Sequence, residues 1–164
     1  FDVALASAVR QAPKIILIGE LRDANSALTA IHAANTGHLI FFTTHTGSIS
    51  EAVQSILELI PADQRDHVKA LFPSLMRAGL CQRLVKGKNG KRFAIHELLM
   101  PTPAIGKFIA KGEFFAIKSE LLQGARYGHQ TFQKSLMDAQ REGLIDAQQR
   151  AALEATHLDK DFNP

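Results

Sequence analysis

Glu20 closes a short apolar run, Ile15-Ile16-Leu17-Ile18-Gly19-Glu20, and a carboxylate in that position can do chemistry. Open α/β sheets bind ligands just outside the carboxyl ends of their strands, so Glu20 would stand at the mouth of a site. There it could orient an attacking water or take its proton, as phosphoryl transfer requires, and Gly19 leaves space beside it. The bland alternative, a buried strand running into a solvated turn, is the better fit when that run is taken alone, because apolar-then-acidic runs are common. A second run, Thr36-Gly37-His38-Leu39-Ile40-Phe41-Phe42-Thr43-Thr44-His45-Thr46, sets a histidine on either side of another strand. His45 falls at the same carboxyl edge as Glu20, where an imidazole could touch a terminal phosphate. His38 falls at the opposite edge if the strand is straight, and reads more simply as a satisfied polar residue. Arg22 either contacts phosphate or locks the turn by pairing with Asp23 or another acid.

The elements that must position these residues alternate up to about Thr46, as in a parallel α/β sheet. Val3, Leu5, Ala6, Val9 and Arg10 predict a helix that Pro13 stops, and Ile15 to Ile18 predicts a strand covered on both faces. Asp23 or Asn25 caps the next helix, with Leu28, Ile31 and Ala34 at helical spacing and Gly37 at its end. Leu39 to Phe42 is a second buried strand. Ser48 with Glu51 forms a capping box for a helix with Ile49, Val53, Ile56, Leu57 and Ile60 on one stripe, ended by Pro61. A helix follows from Asp63 towards Arg77, with Pro73 as a possible kink. Leu80 to Lys86 and Arg92 to Leu98, joined across Gly87 to Gly90, read as a hairpin. After Pro101 and Pro103 the pattern is helical, with stripes at Ile105, Phe108 and Ile109 and again at Phe132 and Leu136, and a turn at Gly143. The expected division is therefore 1–100, α/β, and 101–164, mainly helical.

Composition narrows the function classes. The 164 residues are 46% hydrophobic and 21% charged, which excludes a disordered chain. The net charge of +3 is a mild surplus, short of a nucleic-acid footprint. A single cysteine, Cys81, excludes an internal disulfide framework and a multi-thiolate zinc ribbon, and it fits the cytosol. No apolar run approaches the length of a membrane span. His32, His67, His96, His129 and His157 lack ligand spacing, so no metal is assigned to the chain. Lys86, Lys88, Lys91 and Arg92 cluster at the hairpin tip, where a solvated turn outweighs a polyanion contact. Phe1 to Arg10 carry neither an initiator Met nor a signal pattern, and the expectation is an N-terminal truncation.

Taken together, the two runs resemble the Walker B segment and histidine box of the PilT-type secretion ATPases, which serve type IV pili, type II secretion and conjugation. The family order is matched by Gly19-Glu20, Arg22-Asp23, the alanine-rich Leu28 to Ala34, Thr36-Gly37-His38, Leu39 to Phe42 and Thr43-Thr44-His45-Thr46. The spacings agree as well, at 38 − 20 = 18 and 45 − 20 = 25 residues. Downstream, Gln82-Arg83-Leu84, Gly90-Lys91-Arg92, Pro103-Ala104-Ile105 and Gly128-His129-Gln130-Thr131-Phe132 continue the likeness, which covers nearly the whole chain. Lys111-Gly112-Glu113 and Gln130-Thr131-Phe132 look closest to the pilus-retraction branch, PilT and PilU. The Ala-Ile-Arg-Asn-Leu usual in PilT is Ala104-Ile105-Gly106-Lys107-Phe108 here, which favours a PilU-like or divergent relative.

The resemblance implies a partial RecA-like P-loop ATPase domain of class α/β followed by a mainly helical C-terminal portion. It implies Glu20 as the catalytic residue, with Gly19, Arg22, His38 and His45 at the nucleotide. ATP and Mg2+ would be held mainly by a P-loop. No stretch of these residues fits one, since Gly87-Lys88-Asn89-Gly90-Lys91-Arg92 has two residues between its glycines and no hydroxyl after the lysine. A homo-hexamer, an inner-membrane pilus platform protein as partner, and a cytoplasmic place peripheral to the bacterial inner membrane are likewise implied, without specific nucleic-acid binding. The rivals are a non-catalytic module or degenerate paralogue docking on such a motor, and a conjugation or secretion assembly ATPase. The single cysteine counts against the type II secretion branch, whose members commonly carry a four-cysteine module.

Overall fold

The computed structural model describes residues 2–157. Its elements, in chain order, are α1 (Asp2–Arg10), β1 (Ile15–Ile18), α2 (Ala24–Asn35), β2 (Leu39–Phe42), α3 (Ile49–Leu59), α4 (Ala62–Leu75), β3 (Gly79–Lys86), β4 (Arg92–Leu99), α5 (Pro103–Lys111), α6 (Phe114–Gln123), a 3-10 turn (Ala125–Tyr127), α7 (Phe132–Arg141) and α8 (Ala147–His157). The chain divides into two compact units, residues 1–77 with 101–118 and residues 78–100 with 119–164. This differs from the break expected near residue 100. Pro101 and Pro103 do start a helix, but α5 packs on α4, while β3 and β4 belong with α7 and α8.

In the first unit β1 and β2 pair in parallel, Ile15 with Leu39 through Ile18 with Phe42. Ile16 and Ile18 turn inward onto Leu21 and Ala30, with Val9, Ile40, Phe42 and Leu59 around them. The expectation that both faces are covered is corrected: Ile15 is 59% exposed, Leu17 77% and Phe41 51%. Alternation along each strand sends these residues to the face opposite the helices, and no described part of this unit lies over it. The helix starts follow side-chain chemistry. Asp23 caps α2 by accepting from Ser26 N and Ser26 Oγ, both at 2.9 Å. Ser48 accepts from Glu51 N at 3.3 Å, but Glu51 accepts in return from Gly47 N rather than closing the box on Ser48. Pro73 sits inside α4, which ends two residues later. Thr102 caps α5 through Ile105 N at 3.2 Å, with Pro103 in the first turn and Gly112 as a left-handed C-cap.

The second unit is a two-stranded antiparallel hairpin with helices packed on one face. Val85 and Ile95 bury against Phe132, Leu136, Ala139 and Ile145. Gly87 at the hairpin turn is buried, and Lys88 N donates to Leu144 O at 3.0 Å. Beyond residue 100 the chain is not purely helical, because Gln130 exchanges two backbone hydrogen bonds with Leu98 as a one-residue bridge. His129 is buried beside it, 7% exposed, with its Nε2–H donating to Met100 O at 2.8 Å. Among the described residues no helix is long and apolar enough to cross a membrane.

Candidate nucleotide site at the carboxyl edge of the parallel pair

Because β1 and β2 are parallel and end in register at Ile18 and Phe42, the loops that follow them leave from the same edge. Glu20 sits two residues past β1 and His45 three past β2. The side chains meet: His45 Nε2 lies 2.9 Å from Glu20 Oε1. Glu20 Oε2 accepts from Arg22 Nε at 2.6 Å. The glutamate side chain is 20% exposed, while the guanidinium and the imidazole are 77% and 79% exposed. The arginine's hydrogen bond and charge, aided by His45 and opposed by partial burial, hold the Glu20 carboxyl below its usual range. Thr43 Oγ1 donates to Gly19 O, tying the two loops at their bases. The space a side chain on Gly19 would fill is open.

Gly19, Glu20, Arg22 and His45 are thus brought together. His38 is not. It precedes β2, whose four residues at ~3.3 Å each separate it from the His45 loop by roughly 13 Å. Its Nδ1 faces Ala33 O at 3.0 Å and Thr36 Oγ1 at 3.3 Å. Those contacts tie the end of α2 to the start of β2, a local structural task. Among the described residues no group of three His, Cys, Asp or Glu side chains converges as a metal would need. The Thr43 tether was not singled out by sequence. Three threonines in four positions at a strand end read as backbone-bonding hydroxyls, and nothing in their order marks which one reaches across.

A carboxylate flanked by two exposed cationic or polar nitrogens, beside an open glycine, can activate a water and face an anion at once. The nitrogens suit phosphoryl oxygens, and the glycine lets them approach. A different departure is also explained by packing. At Gly106, where the retraction branch carries arginine, an added Cβ would lie 3.3 Å from Pro73 Cβ, so α5 and α4 approach closely at this point.

Comparison with known proteins agrees with this reading of the fold. Residues 1–151 match the family described as type II/IV secretion system protein. The chain is 38% identical over 146 residues to a twitching motility protein of Neisseria gonorrhoeae, covering 88% of this chain and 39% of that protein. It is 35% identical to the type IV pilus ATPase PilU of Pseudomonas aeruginosa, covering 88% of this chain and 38% of that one. A crystal structure of the pilus retraction motor PilT with bound ADP superposes with a TM-score of 0.79 at 31% identity, covering 92% of this chain and 42% of that one. The chain therefore spans about two fifths of the length of these relatives. With its Gly-Glu strand, its histidine loop and an α/β fold shared with a PilT motor, the chain belongs to the type II/IV secretion system protein family.

Proposed function

We propose that this chain is the water-activating part of a hexameric ATP-hydrolysing motor that powers type IV pilus retraction or related secretion. The observation that carries the proposal is the Glu20–His45 contact of 2.9 Å at the shared edge of the parallel strands. Glu20 takes the proton of the attacking water, and His45, bonded to it and open to solvent, reports the terminal phosphate to the same carboxylate. Bound Mg2+ would neutralise phosphate charge, held mainly by a P-loop outside these residues. Turnover moves neighbouring subunits as rigid bodies, and the motion passes to an inner-membrane platform protein. The motor works in the cytoplasm against that membrane.

Glu20→Gln in the full-length protein tests the assignment. ATP turnover is expected to vanish while ATP binding persists, and retained hydrolysis would remove Glu20 from the role. The rival reading is a non-catalytic module seated in or on such a motor. Sequencing the coding DNA upstream of Phe1 separates the two. An in-frame Gly-x-x-x-x-Gly-Lys-Ser/Thr supports the motor, and a start codon near Phe1 without it supports the module.

A further inference from the structure

Among the described residues Arg22 has one hydrogen-bond partner at the site, and that partner is Glu20. Its neighbour Asp23 is turned the other way, both oxygens accepting from Ser26 at the start of α2. The cap also anchors the backbone next to Arg22, so the arginine is a side arm on a fixed helix start. It meets the carboxylate through Nε, side-on, at 2.6 Å, while His45 arrives from the other loop at 2.9 Å. A glutamate side chain has three rotatable bonds, and one contact on each oxygen fixes both its rotamer and the plane of its carboxylate. The two contacts come from loops that follow different strands, so the hold also reports whether the strands are in register.

We infer that Arg22 is a positioning residue for Glu20, acting through the carboxylate rather than as a ligand of the nucleotide. This rests on the reading of Glu20 as the general base. The side-on contact aims one oxygen and leaves the terminal guanidinium nitrogens outward. Among the described residues the hydrogen bond that Arg22 makes goes to Glu20, so its loss is felt first at the carboxylate. The groups facing Glu20 are Arg22 on its own loop and His45 on the loop after β2, and both lower the carboxyl's proton affinity. Removing the guanidinium therefore raises that affinity, which moves the acid limb of the rate profile to higher pH.

The test is steady-state ATP hydrolysis by the full-length protein from about pH 5 to 9, comparing Arg22→Gln, Arg22→Lys and Glu20→Gln. Arg22→Gln should lower kcat by about tenfold to a hundredfold, the scale of a roughly 1 Å misplacement of a reacting group. KM for ATP should stay within about twofold, because the lost contact is not to nucleotide. Its acid limb should move up in pH. Arg22→Lys should keep the acid limb near that of the wild type while kcat remains low, since the charge survives and the side-on geometry does not. A large rise in KM with kcat preserved would make Arg22 a nucleotide ligand and overturn the inference. Unchanged kcat, KM and pH profile would do the same. Turnover retained by Glu20→Gln would defeat the base assignment and this inference together. An inactive Glu20→Gln beside a KM-only effect at Arg22 would defeat the inference alone.

Discussion

Replacing Gly124 by alanine puts a methyl group where the ring of His129 already lies. The added Cβ would sit 1.9 Å from Nδ1, 2.6 Å from Cε1 and 2.7 Å from Cγ of that imidazole. To reach an ordinary separation of about 3.4 Å the ring must retreat by roughly 1.5 Å, further than a packed interior yields without strain. The retreat breaks the 2.8 Å bond from His129 Nε2–H to Met100 O. Overpacking costs about 1–3 kcal/mol, and leaving a buried polar group unsatisfied costs about 1–3 kcal/mol more. Alanine returns about 0.4–1 kcal/mol by restricting the unfolded chain. The net expectation is a loss of about 1–5 kcal/mol, or a fall in Tm of roughly 2–20 °C for a chain of this size. Urea unfolding followed by far-UV circular dichroism measures it. The steric argument also predicts strong coupling: in a His129→Ala background, Gly124→Ala should cost less than about 0.5 kcal/mol. Equal cost in both backgrounds, or a single variant within about 0.5 kcal/mol of wild type, would refute the reasoning.

Two further changes test separate links. Thr102→Ala removes the buried cap of α5 and should cost about 1 kcal/mol, with Thr102→Ser restoring most of it in thermal melts. A Tm unchanged by alanine would mean that the 3.2 Å bond to Ile105 N contributes nothing. Asp138 accepts from Lys134 Nζ at 2.6 Å on both oxygens and from Arg141 at 2.8 Å, and these contacts lower its carboxyl pKa despite partial burial. A carboxyl lowered in the folded state adds stability above its unfolded value, about 3.9, and loses it as pH falls through the folded value. Asp138→Asn should therefore be less stable than wild type at pH 7 and match it once Asp138 is protonated. Identical urea midpoint differences at pH 7 and at about pH 2.5 would contradict this linkage.

How far the fold was readable in the sequence differs from element to element. β1 and β2 were legible as four-residue apolar runs between turn residues, and Asp23 and Ser48 as caps, because those signals are local. The coverage of β1 was not, since apolar residues at 15 and 17 say that a face is hydrophobic and not what lies on it. The hairpin was legible from its turn, whereas the bridge of Gln130 to Leu98 joins residues 32 apart (130 − 98) without any periodicity. Pro101 and Pro103 announced a helix, but its packing on α4 joins elements far apart in sequence, close enough at Gly106 that an added Cβ would lie 3.3 Å from Pro73 Cβ. At the site, the meeting of Glu20 and His45 followed from parallel strands ending at one edge. The choice of Arg22 between phosphate, Asp23 and Glu20 did not, because a partner two residues away is selected by rotamers.

The bare face of the parallel pair has a kinetic consequence. Strands of four residues that, among the described residues, pair only with each other and pack on one side hold few contacts there that must break before their amides open. In hydrogen exchange β1 and β2 should lose protection ahead of the α4–α5 pair, although they are the most apolar stretches of the chain. The loops bearing Glu20 and His45 hang from the ends of these strands. Anything that settles on Ile15, Leu17 and Phe41 would slow that opening and steady the distance between the two side chains, so occupancy of one face would be felt at the edge.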